Sequence, residues 1–113
     1  MLDVVFASIR GSGMQKVNML DIGAATGYLT YASSSLIAGE IGLSDSKVTG
    51  IDLSQEAIRK AQSLHSRFNP KIKTAFVLDD FFHHLEIFNK YNLIVSGCGL
   101  SQADVVGSIL SKV

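Results

Sequence analysis

The residues with the clearest capacity for chemistry lie in one stretch, Leu20-Asp21-Ile22-Gly23-Ala24-Ala25-Thr26-Gly27-Tyr28-Leu29-Thr30. It is a glycine-bounded turn between a short apolar run and a segment of helical period. Turns of this kind set the carboxyl end of a strand against the positive end of a helix, and small side chains let a ligand approach the backbone. No Gly-Lys-Ser or Gly-Lys-Thr follows, and the glycine order is not G-x-G-x-x-G, which argues against a Walker phosphate cradle and a nicotinamide dinucleotide. What remains is an acid, Asp21, two positions before the first glycine. It can attract an ammonium directly or through water, beside an opening at Gly23 and Gly27 that suits a zwitterionic amino acid tail. Asp52 ends the next apolar run, 25 residues past Gly27, where a carboxylate can accept both hydroxyls of a ribose. Asp79 and Asp80 follow a third run, near where an adenine amino group is expected. The plainer readings are an ordinary strand-to-helix turn for the glycines, a helix-start acid for Asp52 and turn residues for Asp79 and Asp80.

Periodic segments must position these groups. Leu2, Val5, Phe6 and Ile9 recur at helical spacing, and Gly11, Ser12 and Gly13 end that helix. Val17 to Ile22 is short, apolar and flanked by turn residues, which predicts a first buried strand. Leu29, Ala32, Leu36 and Ile37 predict the next helix, with Gly39 to Asp45 as a surface loop. Lys47 to Asp52 is the second strand. Ser54 caps a helix with an apolar stripe of Ala57, Ala61, Leu64 and Phe68, and the only proline, Pro70, closes that unit. Thr74 to Leu78 and Asn92 to Ser96 predict two more buried strands. Ser101 with Asp104 resembles a capping box opening a last helix that buries Ala103, Val106, Leu110 and Val113. Strand and helix alternate, so the expected fold is α/β, a Rossmann-like parallel sheet of about four strands with helices on both faces. The edge at Asn92 to Ser96 is expected to be adhesive and to favour self-association.

The same segments resemble the S-adenosylmethionine-dependent methyltransferases, and more narrowly the protein-L-isoaspartate O-methyltransferases. LDIGAATGYLT (20–30) is similar to that family's LD-[IV]-G-[ST]-G-[ST]-G-Y-L-T loop, and VTGID (48–52) to its ribose-binding strand end. FVLDD (76–80) is similar to its V-V-G-D segment, and YNLIVSGCGL (91–100) to Y-D-A-I-H-V-G-A-A-A. The likeness spans about residues 2–112. It implies that S-adenosyl-L-methionine is the cofactor and that an isoaspartyl protein or peptide accepts the methyl group, as in protein repair. It also implies Asp21, Gly23, Ala25 and Gly27 at the methionine end, Asp52 with Leu53 at the ribose, and Asp80 with Phe81 at the adenine. Ala25 stands at the family's middle glycine, where a positive φ would strain it by about 1 kcal/mol; Phe81 and Asn92 are further departures. The family's I-S-A-P-H segment and its later G-G-R-L-I-L-P-type strands find no match. The expectation is therefore a single but partial methyltransferase-like domain over 1–113, with no nameable catalytic residue and little turnover on its own. The alternative is an inactive cofactor-binding remnant or isoform.

Composition narrows the other possibilities. With 113 residues, 47% of them hydrophobic, the chain can hold one modest core. Ten Lys and Arg balance ten Asp and Glu, which argues against nucleic acid or an anionic membrane as partner. No apolar stretch approaches the roughly 18 residues of a membrane span. The first ten residues lack a basic leader, and the one cysteine, Cys98, has no disulfide partner. The expected setting is reducing and cytoplasmic. Adjacent His83 and His84 have no ligands at zinc spacing, so no metal is expected. Cys98 reads as a structural thiol with no base beside it.

Overall fold

A computed structural model describes residues 2–80 and 89–96 of the chain. Its elements in order are α1 (Leu2–Ser12), β1 (Asn18–Ile22), α2 (Tyr28–Leu36) running into a π-helical turn (Ile37–Ile41), β2 (Lys47–Asp52), α3 (Gln55–Ser63), the short α4 (His65–Phe68), β3 (Lys73–Leu78) and β4 (Leu93–Ser96). The strands form one sheet in the order β3-β2-β1-β4, and every neighbouring pair is parallel. The α/β sheet expected from the alternation is therefore present. The last helix expected from residue 101 onward, together with Phe81, His83, His84 and Cys98, lies outside the described residues.

Strand order locates the functional end of the sheet. The chain steps outward from β1 to β2 to β3, then returns to pair β4 with the opposite side of β1. This reversal makes the carboxyl ends of β1 and β4 the topological switch point of the sheet, the place where open parallel sheets take ligands. The 23–27 loop leaves β1 at that point.

Register assigns the side chains to two faces. Met19 pairs with Val48 and Leu93, and Asp21 with Gly50 and Val95, so these residues share one face. Val5 and Ile9 of α1, Ile37 and the strand residues Met19, Val48, Leu93 and Val95 form its core. Tyr31 of α2, Ile58 and Ala61 of α3, Ala24 and Phe76 extend that layer toward β3. The opposite face carries Leu20, Ile22, Ile51 and Ile94, with Tyr91 against them. All three longer described helices thus lie on one face.

Several elements depart from the sequence expectation for identifiable reasons. α2 buries Thr30, Tyr31, Ser33, Ser34 and Ile37, whereas Leu29 and Leu36 are only partly buried. Small hydroxyl side chains let this helix lie close to the sheet, and Ser34 is satisfied there by a 2.9 Å hydrogen bond with Thr74. The helix does not stop at Gly39; the π-helical turn carries it to Ile41, and Gly42, with φ 78°, ends it. Ser54 caps α3 as expected, its Oγ accepting from the Ala57 N–H at 3.2 Å. The stripe behind it divides, because α3 ends at Ser63 and Phe68 of α4 stacks on Tyr31 with ring centroids 4.6 Å apart. β3 is an edge strand rather than a buried one, with Val77 and Leu78 43% and 48% exposed. β4 is also terminal in the described sheet, yet all four of its residues are buried.

Asn92 fastens β4 to β1. Its Oδ1 accepts from the Asn18 N–H at 2.7 Å, and its Nδ2 donates to the Lys16 carbonyl at 2.6 Å. An aspartate could not supply that donor, so the departure from the resembled family's aspartate is a functional part of this strand junction.

Two glycines with similar backbone angles separate conformational strain from packing. A Cβ at Gly42 (φ 78°) would meet nothing within 4 Å, whereas one at Gly27 (φ 88°) would come within 2.8 Å of the Phe76 ring and 3.1 Å of Ala61 Cβ. Gly42→Ala is expected to cost about 1 kcal/mol from the left-handed backbone alone. Gly27→Ala adds overpacking and should cost about 2 to 4 kcal/mol in total. Urea unfolding of the two variants checks the order; equal losses would show that Phe76 does not dictate glycine at 27.

Tyr31 supplies a pH-dependent fastening. Its hydroxyl donates to the Ala61 carbonyl at 2.6 Å, and burial pushes the phenol above its usual 10.0. A folded-state pKa raised above the unfolded one contributes stability that is complete below about pH 10 and is lost as pH rises through the folded value. Denaturant midpoints for wild type and Tyr31→Phe should therefore converge only at alkaline pH.

Candidate cofactor-binding site

The loop after β1 is built by a few backbone bonds. The N–H groups of Gly23 and Ala24 both donate to the Ile51 carbonyl, at 2.9 and 3.1 Å, tying the loop to the end of β2. Gly27 N–H closes a four-residue turn on the Ala24 carbonyl at 2.9 Å, and Tyr31 N–H starts α2 by donating to the Gly27 carbonyl at 2.9 Å. Gly23, Ala25 and Gly27 all have positive φ, at 68°, 52° and 88°. Ala24 turns inward, where its Cβ would lie 2.8 Å from one added at Gly50. Ala25 turns outward and is exposed.

Phe76 lies under this loop. A Cβ at either Gly27 or Gly50 would press within 3 Å of its ring. Glycine at 27 is thus required by a left-handed backbone and by the ring below it. The sequence reading attributed the small residues to close ligand approach; at position 27 internal packing already accounts for them.

Asp52 joins the loop to the next helix. Its Oδ2 accepts from the Ala25 N–H at 2.8 Å, and its Oδ1 accepts from the Ser54 N–H at 2.9 Å. A charge-assisted hydrogen bond contributes about 1.5 to 3 kcal/mol, against about 1 kcal/mol for an alanine in the left-handed region, so the Asp52 bond is sufficient to hold Ala25 there. Leu53 beside it is 69% exposed. The Asp79 N–H donates to the Asp52 main-chain carbonyl at 3.1 Å, which brings the end of β3 alongside. Asp80 is partly buried, and its N–H donates to Asp79 Oδ1 at 2.7 Å.

The sequence-predicted residues therefore gather at one edge but divide into two groups. Gly23, Ala25, Asp52, Leu53 and Asp80 line the carboxyl ends of β1, β2 and β3. Asp21 lies beneath them, 0% exposed, accepting from Thr30 Oγ1 at 2.8 Å. Its side chain shares the helix-covered face with Gly50 and Val95, and Thr30 stands in the first turn of α2, whose positive end favours a carboxylate. Of the two ways in which Asp21 is expected to attract a ligand ammonium, directly or through water, its burial beneath the loop favours the indirect one. Phe81 lies outside the described residues. Sequence reasoning missed Thr30 and Phe76 as the residues that support the loop from below. Thr30 was visible as a hydroxyl nine positions after Asp21, but Phe76 looked like one apolar strand residue among several. Among the described residues no group of three His, Cys, Asp or Glu could hold a metal ion, and no helix is long and apolar enough to cross a membrane.

The Asp21 bond has a measurable consequence. Thr30→Val keeps the shape but removes the hydroxyl donor from a buried carboxylate, and should cost about 1 to 3 kcal/mol of stability. Thr30→Ser should retain most of it. Chemical denaturation distinguishes the pair, and an unchanged midpoint for Thr30→Val would remove the Asp21 support from the account of the loop.

Comparison with known proteins relates nearly the whole chain to methyltransferases. A family described as "Methyltransferase domain" matches residues 14–112. A curated release factor glutamine methyltransferase from Fusobacterium nucleatum is 32% identical over 101 residues, covering 88% of this chain and 26% of that protein. Among solved structures, the bifunctional kinase-methyltransferase WbdD superposes with a TM-score of 0.62 at 23% identity, over 96% of this chain and 24% of that one. A protein-L-isoaspartate O-methyltransferase gives 0.59 at 23% identity, over 86% and 29%. The two structural likenesses establish the fold, and the chain spans about a quarter of the length of these relatives. With the family match running from before β1 to beyond β4, through the loop and all the strand ends that carry the acids, the chain belongs to the methyltransferase-domain family.

Proposed function

We propose that residues 1–113 form the cofactor-binding part of an S-adenosylmethionine-dependent methyltransferase that esterifies the carboxylate of isoaspartyl residues in damaged proteins. The observation that carries the cofactor reading is Asp52. Its carboxylate sits at the end of β2, fixed by two backbone N–H groups, with one acceptor position still open on each oxygen for the paired hydroxyls of a ribose. Exposed Leu53 and Leu78 offer apolar shoulders for a purine beside it, and Asp80 follows Asp79, whose N–H is bonded to the Asp52 carbonyl, on the side where an exocyclic amine would lie. The donor set thus fits an S-adenosyl group. The isoaspartyl acceptor rests on the LDIGAATGYLT and YNLIVSGCGL segments.

When bound, the cofactor supplies an electrophilic methyl on a sulfonium that is already a good leaving group. The chain's own contribution is then binding and alignment. Gly23, Ala25 and Gly27 shape the floor for the amino acid end, Asp52 and Leu53 hold the ribose, and Asp80 orients the base. Asp21 with Thr30 keeps the loop at its height. The relatives are about four times longer than this chain, so in them groups that grip the acceptor can come from segments with no counterpart in these residues. A second reading has its own support: the 32% identity to a release factor glutamine methyltransferase favours a glutamine amide nitrogen as acceptor.

Calorimetry tests the cofactor reading. S-adenosylhomocysteine should bind more tightly than NAD, and Asp52→Ala should weaken it by about 1.5 to 3 kcal/mol. Equal or tighter binding of NAD would overturn the assignment. Turnover is tested with a radiolabelled methyl donor and three peptides, bearing isoaspartate, aspartate or glutamine. The 113-residue chain alone should show little methyl transfer, because alignment of acceptor and methyl can supply about 7 to 11 kcal/mol of a barrier and most of that positioning is lacking. Robust isoaspartate-specific turnover would place an acceptor site within these residues; turnover confined to glutamine would favour the second reading.

A further inference from the structure

We propose that Ala25, through its left-handed backbone, is the positioning residue that presets Asp52 as a receptor for a vicinal diol; the ligand side of this inference rests on the cofactor reading above. Ala25 is one of two non-glycine residues with positive φ among those described. It occupies the second position of the turn closed by Gly27 N–H on the Ala24 carbonyl, where positive φ favours glycine. Its methyl group is exposed and fills no space in the core. What the unusual angle does achieve is to direct the Ala25 N–H at Asp52 Oδ2, 2.8 Å away.

The geometry at Asp52 gives that bond its meaning. A carboxylate on a surface strand end would normally sample several rotamers and would lose that freedom on binding. Here Oδ2 is held by Ala25 from the β1 side and Oδ1 by Ser54 from the α3 side. Each oxygen has about two acceptor positions, so each keeps one after the backbone bonds are made. Two open positions on a plane fixed from both ends match two adjacent hydroxyls. Removing either backbone donor would leave the carboxylate present but free to turn, and its preference for a diol over a single hydroxyl would fall. The same bond links the ribose end of the site to the loop beneath the amino acid end, so one residue sets both.

Two measurements test this. In the unliganded chain, amide hydrogen exchange at Ala25 should accelerate about tenfold or more in Asp52→Ala, while the Gly27 amide, bonded to Ala24, keeps its protection. Unchanged exchange at Ala25 would overturn the clamp whether or not any cofactor binds. In the liganded chain, dissociation constants are compared for S-adenosylhomocysteine and its 2′-deoxy analogue. Wild type should prefer the ribose form by about ten- to a hundredfold. Ala25→Gly, which reaches positive φ freely, should keep that ratio. Ala25→Val, whose branched side chain resists positive φ, should lower it to within about threefold, the ratio rather than either constant being the readout. An unaltered ratio in folded Ala25→Val would show that Ala25 does not position Asp52. If wild type shows the exchange effect but binds neither compound, the cofactor reading fails and the clamp stands.

Discussion

The loop that defines this molecule rests on an aromatic ring. Phe76 projects from β3 across the helix-covered face until its edge lies under both Gly27 and Gly50, and neither position has room for a single methyl group. That constraint fixes how close α2 comes to the sheet, and with it the height of every backbone group from Gly23 to Gly27. Tyr31 then packs on Phe76 at 5.2 Å between centroids and stacks on Phe68. The wedge is thus gripped by Tyr31 of α2 and by Ile58 and Ala61 of α3, with Phe68 of α4 backing Tyr31. A ring held on several sides cannot yield to an added methyl by rotating, which is why interiors at crystal-like density feel even one carbon.

Close approach of α2 also explains its unusual composition. A helix set low on a sheet has no space for a row of leucines, and Thr30, Ser33 and Ser34 take the buried positions instead. Burying a hydroxyl costs free energy unless it finds a partner. Thr30 finds Asp21, and Ser34 finds Thr74. The larger apolar residues Leu29 and Leu36 move to the flank, where they close the side of the core formed by α1 and β4.

Sequence periodicity made the alternation of strands and helices, the parallel sheet and the cap at Ser54 legible, because each depends on local spacing or a local hydrogen bond. The acids at the ends of β1 and β2 were legible for the same reason. The fate of each acid was not. Asp21 and Asp52 look alike in sequence, each at or next to the end of an apolar strand, and both fall on the helix-covered face, but Asp21 pairs with Gly50 inside the sheet whereas Asp52 stands two positions further out, at the rim beside exposed Leu53. The α2 stripe was misread because leucine and alanine were weighted above serine, a rule that fails where distance rather than hydrophobicity selects the residue. Val77 and Leu78 looked buried because an apolar run does not reveal whether its strand lies at the centre or the edge of a sheet.

The two aspartates lie at different depths on one face of the sheet, and depth suits them to different tasks. A carboxylate that is to meet a ligand must keep open acceptor positions and some access to solvent, and it benefits from being held still. A carboxylate that supports a loop must be out of reach of the ligand, or binding would pull it from its structural partner. Depth along the strand decides which need a carboxylate can serve, since both side chains face the covered layer and only the outer one reaches the rim. The acid of β1 is fully buried on Thr30, the acid that ends β2 is only partly buried, and the Ala25 N–H, reaching from the loop that leaves β1, ties that loop to the second carboxylate.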